Sequence, residues 1–261
     1  QTHPKCKFVS TVAEIDDLPE GPVMGLIAGR TADAPRFFEE LCTKGVSHIY
    51  LEKPGAESAA RLDAMRQMAA ERDIPVVVGY NKNVAEYVRL ALGVLSEGHA
   101  AGKEAPLVTL EHCNAFAPGK ELIDFVSGAG AEGMLHNMAC HELALAATIF
   151  GVVPERIASL VLHPEASEHL ALANGGADWS RVSFTLELHP SDAAVPAGLP
   201  PTRLKFALDR CGGNFSCVHL GEAESFRLPS AEHQAWVDEE AAKDPEIRPY
   251  FLQQVCGRPA L

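Results

Sequence analysis

In SHIYLEKPGA, residues 47–56, an apolar run, Ile49-Tyr50-Leu51, stops at Glu52-Lys53-Pro54. Short apolar runs bounded by Gly and Pro read as buried strands. The acid, lysine and proline therefore stand at a strand's carboxyl end. Working outward, PVMGLIAG (22–29) reads as a buried strand before it and IPVVVGYN (74–81) as another after it. DAPRFFEELCTKG (33–45) and AESAARLDAMRQMAAERD (56–73) between them have helical patterns, and VAEYVRLALGVLSEG (84–98) has a third. Asp33 suits an N-cap, Pro35 a first turn and Gly45 a C-terminal cap. Strand–helix–strand–helix–strand with continuous apolar strands means parallel βαβ units with right-handed crossovers.

The pattern changes after about residue 103. APLVTLEHC (105–113), RIASLVLH (156–163), RVSFTLELH (181–189), TRLKFALDR (202–210) and NFSCVHLG (214–221) read as longer strands, several with alternation. Helices are expected near 119–127 and 134–150, and HPSDAAVPAGLPP (189–201) is a Pro/Ala-rich loop. Successive strands with short connections predict an antiparallel sheet. The expected fold class is α/β: an incomplete parallel-sheet domain over 1–103, then an α+β domain with a large, mostly antiparallel sheet over 104–261. Both faces of that sheet are expected to carry apolar residues, with Val182, Phe184 and Leu186 on one and Leu188, Leu204 and Phe206 near the other. That pattern predicts a helix on one face and a second copy on the other.

Composition narrows the function. The 261 residues are 47% hydrophobic, enough for a sizeable core, and the formal net charge is −13. That charge argues against unassisted nucleic-acid binding, and no apolar run approaches the length of a membrane span. Seven scattered cysteines without a CxxC predict buried thiols in a reducing compartment, the cytoplasm or an organelle interior. Cys211 and Cys217 fit no common zinc spacing, so no metal ligands are expected.

Catalytic groups on open parallel sheets gather at the strands' carboxyl ends. Lys53 sits at one, where partial desolvation favours acid–base work by a lysine; the plainer alternative is a solvated strand-end side chain. Glu52 pairs with it or holds the loop. Pro54 fixes the backbone and is where a cis bond can occur. EGMLHNMACHELALAATIFG (132–151) reads as a helix with Asn137 and His141 one turn apart on one face. Tyr80 and Asn81 in GYNKN are substrate-facing or simply close a turn.

Glu52-Lys53-Pro54, then VVVGYNKN (76–83), then GMLHNMACHELALA (133–146), in that order, resemble the glucose–fructose oxidoreductase, inositol dehydrogenase and MocA family over nearly the whole chain. The resemblance implies a nicotinamide-dependent oxidoreductase, using NAD or NADP, that acts on a sugar, cyclitol or related polyol. It implies that Lys53 handles the substrate hydroxyl proton near the nicotinamide and that His141 is an acid/base. Tyr80, Asn81 and Asn137 would bind substrate. Gly29, Arg30, Glu52 and Pro54 would lie on the cofactor side, Arg30 touching a phosphate or simply exposed. The family's helix motif usually reads Asp-xxx-His, and Asn137 here cannot carry charge.

The family opens with a strand, G-x-G-x-x-G and a helix. No such motif precedes PVMGLIAG, and 21 residues are too few for a βαβ unit, which takes roughly 30 or more. The N-terminal unit is expected to lie outside these residues or to have been lost, leaving a bare sheet edge and an apolar face for a partner. The alternative function follows: a non-catalytic relic binding no nicotinamide, serving as a structural subunit of a larger assembly.

Overall fold

The computed structural model describes residues 7–243 apart from 129–130, 173–174, 192–194, 197, 199–200 and 223. Most of the predicted 189–201 loop lies outside the described residues. The chain divides into two compact units, residues 1–80 and 81–261.

The first unit alternates β1 (Met24–Ile27), α1 (Ala34–Lys44), β2 (His48–Leu51), α2 (Ala59–Ala70) and β3 (Val76–Val78). The strands pair in parallel in the order β1-β2-β3. Gly45 ends α1 in the left-handed region at φ 88°, as expected of a C-terminal cap. Asp33 sits at the N-cap but its carboxylate makes no cap, being taken by Arg30. Ile27, Ile49 and Leu51 pack against Phe38 and Cys42 of α1 and Met65 and Ala69 of α2. Each large buried side chain contributes about 1.5–3 kcal/mol.

These strands are buried on one face, not both as their sequence suggested. Met24, Leu26 and Val77 remain 66%, 65% and 63% exposed. Two successive right-handed crossovers advancing in one direction put both helices on the same side of the sheet.

The second unit begins with a 3₁₀ turn at Asn81–Val84 and α3 (Glu86–Ala100). β4 (Val108–Cys113), α4 (Lys120–Ser127), α5 (Met134–Asn137) and α6 (Cys140–Ile149) follow. Then come β5 (Ile157–Leu162), β6 (Glu168–Ala171), β7 (Ala177–Leu188), β8 (Arg203–Asp209), β9 (Phe215–Leu220), β10 (Glu224–Leu228) and α7 (Ala231–Lys243). The sheet order is β10-β9-β4-β8-β7-β5, with β6 also on β7, and every described pairing but β4–β8 is antiparallel. Helix α3, grouped with the first domain from sequence, buries Tyr87, Val88 and Ala91 in the second unit's core.

Two expectations need correction here. Val182, Phe184 and Leu186 lie directly opposite Leu208, Phe206 and Leu204, so they share one face, and Leu188 follows in the same alternation. That face meets α3, α5 and α6, while the other presents Ser183, Thr185, Glu187, Lys205, Thr109 and Glu111. The predicted helix over 134–150 is also broken at Met138–Ala139. The Cys140 thiol bonds the Asn137 carbonyl at 3.4 Å, a bond a backbone N–H would otherwise make.

Candidate active site

In the first unit, Gly29 and Arg30 follow β1, Glu52-Lys53-Pro54 follows β2, and Gly79-Tyr80 follows β3. The strand ends are tied together: Glu52 N–H donates to the Ile27 carbonyl and Gly79 N–H to the Leu51 carbonyl, each at 2.8 Å. The Tyr50 hydroxyl donates to Glu52 Oε2 at 3.2 Å. Burial, then the Glu52 charge and this bond, raise the Tyr50 hydroxyl above its ordinary pKa. A Cβ on residue 79 would lie 2.5 Å from Tyr50 Oη and 2.9 Å from Glu52 Oε2, so glycine is what lets β3 end beside this pair. Glu52 therefore holds the strand end. Lys53 is half-buried, Pro54 is buried, and the bond between them is cis. Arg30 pairs with Asp33 at 2.9 Å with its side chain 79% exposed.

In the second unit, a charged cluster surrounds the first turn of α6. Glu142 is 1% exposed and takes Lys82 Nζ on Oε1 at 2.5 Å and His112 Nδ1 on Oε2 at 3.0 Å. Burial alone would raise this carboxyl. Lys82 and His112 outweigh it and hold Glu142 down at about 2. Glu142 is thus ionised at neutral pH. Its bond to Nδ1 fixes the His112 ring with the proton on that nitrogen. The His141 ring stands edge-on to His112, centroids 6.3 Å apart at 76°. Burial and the charge of Glu142 raise the Tyr87 hydroxyl, whose side chain bonds Ser216. Asn137, at the end of α5, donates to Glu132 Oε2 at 3.5 Å. With the helix broken, a shared face for Asn137 and His141 no longer follows from their spacing.

The structure thus groups Gly29, Arg30, Glu52, Lys53, Pro54 and Tyr80 at one set of strand ends. It sets His141, Asn137 and Asn81 in the second unit. Sequence reasoning missed Lys82, His112 and Glu142. Signals existed: Lys82 lies in GYNKN, Glu142 adjoins His141, and the alternation Val108-Leu110-His112 puts a histidine among core-facing positions. The Glu142 carboxylate thus orients the His112 ring, against which His141 stands edge-on.

Among the described residues, no strand-to-helix turn carries the glycine pattern that cradles a dinucleotide's pyrophosphate. The chain's one G-x-G-x-x-G, Gly128 to Gly133, follows helix α4 rather than a strand, and so lacks the strand–turn–helix setting that aims backbone N–H groups at phosphates.

The parallel three-strand sheet and the large, mostly antiparallel sheet that follows it match the fold of solved dehydrogenase structures. Among solved structures, the scyllo-inositol dehydrogenase of Lactobacillus casei with bound NAD(H) and scyllo-inositol superposes at a TM-score of 0.57 and 13% identity, covering 79% of this chain and 57% of that one. GenD2 of gentamicin A biosynthesis, in complex with NAD, gives 0.54 at 17% identity over 78% and 53%. The super-repressor mutant of Gal80p from Saccharomyces cerevisiae gives 0.51 at 13% over 78% and 55%. The chain spans just over half the length of these proteins. No protein-family model and no curated protein sequence matches it. No described helix is long and apolar enough to cross a membrane.

Proposed function

We propose that this chain carries the proton-transfer and substrate-holding part of an NAD(P)-dependent oxidoreductase acting on a sugar, cyclitol or related polyol. Lys53 takes the substrate hydroxyl proton, and His141 serves as an acid/base. Tyr80, Asn81 and Asn137 bind hydroxyls. Gly29, Arg30, Glu52 and Pro54 face the cofactor. The observation that carries the reading is the buried Lys82–Glu142–His112 cluster set against His141. A wholly buried carboxylate, paired with Lys82 and hydrogen-bonded to the His112 ring that His141 meets edge-on, suits a group that must be held for proton transfer. The test is NAD- and NADP-linked oxidation of an inositol and sugar panel by the purified protein. Activity lost in His141→Ala with the fold intact supports the reading. Full activity in that variant overturns it.

Asn137 in place of an acid, and the lack of a fitting pyrophosphate loop among these residues, favour a second reading, a non-catalytic structural subunit. It predicts no saturable NADH or NADPH binding at micromolar concentration.

A further inference from the structure

We propose that Glu111, Cys217 and His219 bind a divalent transition metal of zinc-like character on the polar face of the large sheet. Nothing in this proposal depends on the oxidoreductase reading. Glu111 of β4 lies directly opposite Cys217 of β9, and His219 follows two residues along β9, so the three side chains project from one face. Their ligand atoms all lie within 4.8 Å of one another. Glu111 Oε2 is 2.8 Å from His219 Nε2, and Cys217 Sγ is 3.9 Å from His219 Nδ1. Tetrahedral ligands held at zinc bond lengths stand about 3.3–3.8 Å apart, a spacing small side-chain rotations would reach here.

The donor chemistry selects the metal. A thiolate, an imidazole and a carboxylate form a zinc-type set, and three protein ligands leave a fourth position open. The thiolate discriminates against magnesium and calcium. His219 Nδ1 lies 2.7 Å from Ser225 Oγ on β10, the kind of outer partner that fixes a ligating imidazole with Nε2 turned to the metal. Arg227, opposite Cys217 on β10, has its guanidinium 4.0 Å over the Phe215 ring, drawn to that neighbour. Glu111 and His219 are 108 positions apart, so only the strand register reveals the cluster.

Cobalt titration of the metal-stripped protein tests the proposal. One cobalt per chain should give a thiolate charge-transfer band in the near ultraviolet and the visible bands of a tetrahedral site, both bleached by zinc. Cys217→Ser should abolish the charge-transfer band. Cys113→Ser, whose thiol lies 3.9 Å from Glu111 Oε1, should keep it. Glu111→Gln, at a half-exposed position, should weaken zinc binding by at least about tenfold with unchanged circular dichroism. Absence of the band, its survival in Cys217→Ser, or its loss in Cys113→Ser would overturn the assignment.

Discussion

Glu142 is a carboxylate with almost no access to water, and its charge persists because Lys82 and His112 supply what water does not. Its folded value of about 2 lies below its reference value of 4.5, so the unfolded chain takes up the proton first as pH falls. The stabilisation is therefore complete above about pH 4.5 and is lost between there and pH 2. Glu142→Gln should flatten that acid limb in urea unfolding across a pH series. At neutral pH it should cost about 3–5 kcal/mol, the scale of breaking a buried ion pair by removing one member. Parallel pH curves for the two proteins would refute this account. The cluster was hard to read from sequence for a physical reason. Lys82, His112 and Glu142 come from a turn, a strand and a helix, and only packing against the large sheet assembles them. Lys53 and His141, by contrast, each sit in a local motif that singles them out in the sequence.

At the scale of elements, the end of β3 depends on Gly79. Gly79→Ala should destabilise by about 1–3 kcal/mol through overpacking against Tyr50 and Glu52. Tyr50→Phe in the same chain should restore part of that loss, since it removes the oxygen 2.5 Å from the added carbon. Additive losses in this double-mutant cycle would place the strain elsewhere. Asp178 of β7 ties together two other segments: Oδ1 accepts from Met134 N–H at the start of α5, and Oδ2 pairs with the wholly buried Arg210, just after β8, at 2.8 Å. Asp178→Ala should cost about 3–5 kcal/mol in thermal or urea unfolding, the price of stranding a buried charge. Strands and helices with clear periodicity, β4 and α4 among them, were legible. β6, β10 and α7 were not, being short, exposed or polar. The break before α6 was hidden because the apolar pattern runs straight through it while a cysteine thiol replaces a backbone bond.

For the whole molecule, the parallel-then-antiparallel order was legible because strand patterns change character near residue 103. Which face each strand buries was less so. In the first unit the apolar pattern reads as two buried faces, and only the sense of the crossovers leaves Met24 and Leu26 bare. Replacing both with threonine should change stability by no more than about 0.5 kcal/mol each, whereas Ile27→Ala should cost about 2–5 kcal/mol. For the self-association expected from the sequence, we propose edge strand β5, where Leu160 is 58% exposed. Light scattering at micromolar concentration should show a species larger than one chain that Leu160→Lys reduces, and a monomeric wild type would contradict it. The central claim is that Lys53 handles the hydroxyl proton of a polyol substrate. Its most direct measurement is NAD(P)-linked turnover of the preferred polyol by Lys53→Ala, with circular dichroism confirming the fold. The account predicts a loss of about 10²-fold or more, the scale of one general acid or base; undiminished turnover in Lys53→Ala would contradict it.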